Sequence, residues 1–203
     1  RGYVNNGGNM YVTDYAYDLL EQPFPEYISF RTYEGDDANA DGHVGDPDYM
    51  SLAAMTSLRY ESHNKALDPL LRQWLFELEA STEGYVQTEG NWVNIDGVGT
   101  VTQCCNDDGE EVDVTPEVVM SGPNYLDRMF GESGPSHDHW EDAEAENANY
   151  PHTVTWPHGC GEVMFSTYHT VEGEPQATLP PQELVLLYLI LEINECTLNP
   201  IKE

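Results

Sequence analysis

The residues best placed for chemistry stand at the ends of two short apolar runs. Asn9–Thr13 follows Gly7-Gly8 and ends at Asp14, while Glu162–Thr167 follows Gly159-Cys160-Gly161 and leads to His169. If both runs are strands of one sheet, Asp14 and His169 share an edge, with Glu21 or Glu172 as a further carboxylate. A carboxylate beside a histidine can act as nucleophile or general base. Each residue also has a purely structural reading. Asp14 or Thr13 can cap a helix that starts there, and His169 can simply close a strand.

A second group of oxygen ligands lies in the polar stretch 33–49. Asp37, Asn39, Asp41, Gly42, His43 and Asp48 occupy positions 1, 3, 5, 6, 7 and 12 of a twelve-residue loop. Hard oxygens at alternate positions wrap one Ca²⁺, the glycine makes the sharp turn, and position 7 contributes its carbonyl. Position 12 is Asp48 where Glu is usual, and Val44 fits the apolar position 8. The loop resembles a single dockerin-type calcium loop, which here would staple an insertion, and a solvated Asp/Gly loop is the alternative. His137, His139, Glu141 and Asp142 invite a transition-metal reading, but no strand is expected there to aim both rings one way. Asp107, Asp108, Glu110 and Glu111 form an acidic tip better read as a solvated turn. No organic cofactor is expected.

The chain of 203 residues carries 37 acidic and 7 basic residues, a formal charge of −30. Phosphate binding needs clustered Lys and Arg, so nucleic acid is excluded as a partner. A high-salt habitat, bound divalent cations or secretion would each account for the acidity. Cys104, Cys105, Cys160 and Cys196 form no CxxC pair. Neighbouring cysteines bond poorly to each other. Two bridges are therefore expected, from Cys104 and Cys105 to Cys160 and Cys196 in either order, in an oxidising compartment. The longest apolar run, Leu184–Leu191, is far short of the roughly 20 residues of a membrane helix. The chain does not begin with Met, and we expect sheet strands upstream of it or on another chain.

The elements that must position these residues follow from periodicity and punctuation. Arg1–Asn6 ends a helix closed by Gly7-Gly8; Asp14–Gln22 starts another, stopped by Pro23 and Pro25; Tyr27–Phe30 is extended. Asp48–Ser57 reads as helical. Leu67–Ser81 is amphipathic, with Leu67, Leu70, Leu71, Trp74, Leu75 and Leu78 on one face. Tyr85-Val86, Trp92–Ile95, Val98–Val101 and Val112–Val114 read as hairpin strands between Gly, Asn and Asp turns. Gly122–Tyr150 is a polar connection, His152–Trp156 a strand, and Leu179–Glu195 a buried helix entered through Pro180-Pro181.

Two blocks, YVNNGGNMYVTDYAYDLLEQPFPEYISF and GCGEVMFSTYHT, resemble the helix–GG–strand–elbow and closing strand of class I glutamine amidotransferase-like domains of the ThuA-like kind. The resemblance implies a flavodoxin-like three-layer α/β sandwich over 1–203, N-terminally incomplete, with insertions at 33–49 and 84–150. The Leu67–Ser81 and final helices would each cover one sheet face. It also implies that His169 stands at the catalytic histidine position, with Glu172 or Glu174 as the acid. The elbow Val12–Tyr17 has no Cys, and amidotransfer needs a thiolate. The leading expectation is therefore a non-catalytic secreted or cell-surface domain, calcium-stabilised, serving in assembly or ligand binding. One alternative is a carbohydrate-active hydrolase or isomerase using Asp14 and His169. Another is a filament or coat subunit whose sheet a neighbouring chain completes.

Overall fold

The computed structural model describes residues 1–30, 61–89, 93, 95–104, 109–122, 150–168 and 179–191. The chain enters through a one-turn helix, α1 (Gly2–Asn5). Gly7, at φ +95°, lets its N–H donate to the Val4 carbonyl while the Gly8 N–H donates to that of Tyr3. This is a Schellman closure, and it turns the chain directly into strand β1 (Met10–Thr13).

β1 lies parallel to β10 (Gly161–Ser166), in register from Met10↔Val163 to Thr13↔Ser166. The two apolar runs are therefore adjacent strands of one sheet. β10 forms a hairpin with β9 (Tyr150–His158) through Gly159-Cys160. Gly159 holds φ +59°, as the first central residue of a type II′ turn requires. A Cβ at Gly161 would run into the Val4 and Gly8 carbonyl oxygens, so glycine is what lets α1 sit against β10. β9 pairs with β8 (Glu117–Gly122), β8 with β3 (Glu61–Ala66), and β3 with β4 (Tyr85–Glu89), all antiparallel. The six-stranded order is thus β1-β10-β9-β8-β3-β4. The fold is mixed α/β, with one parallel pairing and four antiparallel ones.

Both faces of the sheet are covered, because neighbouring residues on β10 serve different cores. Val163 and Phe165 join Val12, Val154, Trp156, Leu20 and Phe24 on one face, and Met164 joins Met120, Leu71, Leu75, Val185 and Tyr188 on the other. The first face carries the 3₁₀ turn Asp14–Tyr17, helix α2 (Asp18–Glu21), and the pair formed by β2 (Ile28–Phe30) and β5 (Ile95–Val98). The hairpin of β6 (Val101–Cys104) and β7 (Glu111–Val114) packs there as well. Helices α3 (Pro69–Glu77) and α4 (Pro181–Leu191) cover the second face together. Trp74 meets Tyr188 at 5.7 Å between ring centroids, and the Tyr188 hydroxyl donates to Asp68.

That arrangement corrects the expectation of one long helix on each face. The hairpin layer already buries the first face through Ile28, Ile95 and Val114, so both helices are left to the second. The amphipathic face of α3 is also narrower than its spacing predicts. Leu71 and Leu75 are fully buried, whereas Leu67, Leu70 and Leu78 are exposed. Asp68 caps the helix and Leu78 ends it, so Leu67 and Leu78 fall outside the helical turns that face the core. The predicted strand Val98–Val101 is two strand ends separated by Gly99-Thr100. β3, whose sequence ESHNKA is too polar to announce a strand, was not anticipated.

Candidate functional site at the carboxyl edge of the sheet

The parallel pair β1–β10 brings its two carboxyl ends together, and β9 runs back beside them. Thr13, Ser166 and Thr153 form one cross-strand row. Asp14, Thr167 and His152 are the next residues outward along each strand. Asp14 is buried and holds φ +49°, a left-handed conformation uncommon outside glycine but tolerated by Asp and Asn. The chain leaves β1 through a sharp elbow into the 3₁₀ turn, with Asp14 at the bend.

The neighbouring polar side chains, all buried except half-buried Tyr11, are hydrogen-bonded. The Tyr11 hydroxyl lies 2.7 Å from Ser166 Oγ, which also reaches the Tyr168 carbonyl oxygen at 3.1 Å. The Tyr168 hydroxyl lies 2.8 Å from Thr153 Oγ1 and donates to Met120 Sδ. His152 Nδ1 sits 2.8 Å from Thr167 Oγ1, while the Thr167 N–H donates to the His152 carbonyl. Burial pushes the Tyr11 hydroxyl up to about 12 and raises Tyr168 further, so both phenols stay neutral at ordinary pH. β9 and β8 accommodate this cluster with compensating irregularities: Val118 pairs with Val154 and Met120 with Thr153, so Val119 bulges, and Ser121 then pairs with Pro151, which skips His152.

Of the residues singled out by sequence, Asp14 is at the predicted edge, and Glu21 is buried on α2. His169, Glu172 and Glu174 lie outside the described residues, as do Asp37, Asn39, Asp41, His43 and Asp48 of the calcium loop. The same holds for His137, His139, Glu141, Asp142, Asp107, Asp108, Cys105 and Cys196. Cys104 and Cys160 are disulfide-bonded. Among the described residues there is no free cysteine and no group of three metal-ligating side chains. No described helix is long and apolar enough to cross a membrane. A further cavity of about 270 Å³ lies between the α3–β4 turn and the start of α4, lined by residues that include Glu79, Thr82, Gln87 and Pro181.

Two histidines were missed by sequence reading. His152 sits in a strand that reads as ordinary β, and His158 lies beyond the strand His152–Trp156 read from sequence. His158 instead ends β9 inside an aromatic box. Its ring packs edge-on to Phe24 and Tyr27, and Tyr27 stacks on Trp156 at 5.5 Å. The alternation Val154, Trp156, His158 along one face of β9 was the available signal. No protein-family model matches the chain, and neither a curated protein nor a solved structure matches it.

Proposed function

We propose that this chain is a non-catalytic secreted or cell-surface domain, held by disulfides and calcium, that serves in assembly or ligand binding. The observation that carries the reading is the state of the carboxyl edge. Asp14, at the nucleophile position, is buried, and the hydroxyls at the neighbouring strand ends are engaged: Tyr11 with Ser166, Tyr168 with Thr153, and Thr167 with His152. Such an edge supports rigidity more than turnover. The bonded state of Cys104 and Cys160 supports an oxidising compartment, and the charge of −30 suits a protein kept apart from nucleic acid and from anionic lipid. In an assembly role, β1, which ends the sheet order among the described residues, is where a neighbouring strand would add. The parallel β1–β10 pair entered through Gly7-Gly8 supports descent from a flavodoxin-like, amidotransferase-like sheet, of which the four antiparallel pairings would be a later elaboration.

The test is direct. Native protein is incubated with a panel of chromogenic glycosides, and its thiols are counted by mass spectrometry without reductant. No turnover and no free thiol is the expected result. Four free thiols would overturn the extracytoplasmic reading. Turnover that disappears in Asp14→Asn would overturn the non-catalytic one.

A second reading, a carbohydrate-active hydrolase or isomerase using Asp14 and His169, is favoured by one observation. A non-glycine residue at φ +49° between a strand and a helical turn is the backbone shape of a nucleophile elbow.

A further inference from the structure

The aromatic box around His158 joins three parts of the chain that are distant in sequence. From β9 come Trp156 and His158; from the turn after α2 come Phe24 and Tyr27; from the chain start comes Arg1. The Tyr27 hydroxyl lies 3.3 Å from His158 Nδ1, and Trp156 Nε1, also buried, has no hydrogen-bond partner among the described residues. The Arg1 guanidinium lies over the Phe24 ring at 5.5 Å and donates to the Pro23 carbonyl and to Glu26. β6 closes the box with Gln103, whose amide is neutral and holds the Pro157 carbonyl and the Gly159 N–H. The described charged or titratable groups facing His158 are therefore the Arg1 guanidinium and α-amino group, Glu26 and Tyr27. The one carboxylate among them is already paired with Arg1.

We infer that His158 is an acid-sensitive pin. Its protonation places a second cation beside Arg1 in an apolar box and releases the Pro23–Tyr27 arm from β9, while Ile28 and Phe30 stay in the core. The arm is attached by few backbone bonds on this side. Within it the Tyr27 N–H donates to the Phe24 carbonyl; outward, the Phe24 N–H donates to Leu20, the Gly99 N–H to Tyr27 and Arg1 to Pro23, and beyond these the arm is held by the rings of the box. Buried neutral, His158 has its protonation lowered from 6.5 to about 4, chiefly by burial and then by Arg1. With the arm released, His158 would titrate at its ordinary value. The closed form is thus fully favoured above pH 6.5, and its advantage is lost as pH falls toward 4. The opening constant should rise roughly tenfold per pH unit across that window.

Hydrogen exchange at the Tyr27 and Gly99 amides, corrected for intrinsic rates, reads this constant in the whole chain. Val118 and Val154 amides in the β8–β9 pair serve as controls. We expect the tenfold slope at Tyr27 and Gly99, no slope in His158→Phe, and flat controls. Arg1→Gln should make the slope level off at a higher pH, because the neutral box then tolerates the imidazolium sooner. This second variant keeps the test decisive where His158→Phe does not fold. An unchanged slope in both variants, a flat profile in the wild-type chain, or controls rising in step with the arm would overturn the proposal.

Discussion

Asp14 holds a left-handed backbone conformation that its own sequence context does not demand. Asp and Asn visit this region at little cost, whereas a β-branched side chain does not. Asp14→Asn is therefore expected to cost under about 1 kcal/mol, and Asp14→Val more than about 2 kcal/mol once burial is included. Urea unfolding of both variants checks the ordering, and equal costs would mean that the elbow is unstrained. Gly161→Ala is expected to be worse than either, because the clash is with the backbone carbonyls of Val4 and Gly8 rather than with a side chain that can turn away. Gly7 and Gly159 were legible as turn residues. The role of Gly161 was not, because a close approach between α1 and β10 leaves no trace in local sequence.

Two elements depend on single polar groups. Asp68 accepts from the Leu71 N–H at the start of α3 and from the Tyr188 hydroxyl of α4. One carboxylate therefore caps one helix and fastens the other. Asp68→Ala should cost about 1–2 kcal/mol, more than an isolated cap usually does, and Tyr188→Phe should recover part of that loss in a double-mutant cycle. Tyr168→Phe removes the partner of buried Thr153 Oγ1 and is expected to cost about 1–2 kcal/mol by thermal denaturation. β1, α1, β10 and α4 were legible because each combines an apolar run with Gly or Pro punctuation. β3 was not legible. Its residues fail every strand pattern, and it is held by pairing with β4 and β8 and by the buried Asn64–Thr88 hydrogen bond.

At the scale of the molecule, a charge of −30 opposes compactness. Raising NaCl from about 0.01 M to about 1 M shortens the screening length from about 30 Å to about 3 Å. The melting temperature should rise accordingly, and a fall would show that attractive surface pairs dominate. If calcium binds at 33–49, Ca²⁺ should raise the melting temperature further. That increment should vanish in Asp37→Ala and Asp41→Ala. A rise that survives both substitutions would place the effect elsewhere.

By itself, the sequence determined the local events: where helices close and where strands begin. These follow from backbone preferences and apolar runs, which act over a few residues. The tertiary structure decided that β1 and β10 lie side by side, which face each helix covers, that Asp14 takes a left-handed bend, and that His158 is enclosed by Phe24, Tyr27 and Trp156. Those outcomes depend on contacts between segments distant in sequence. Burial there is settled by competition among all the apolar surfaces of the chain, and no short stretch of sequence records its result.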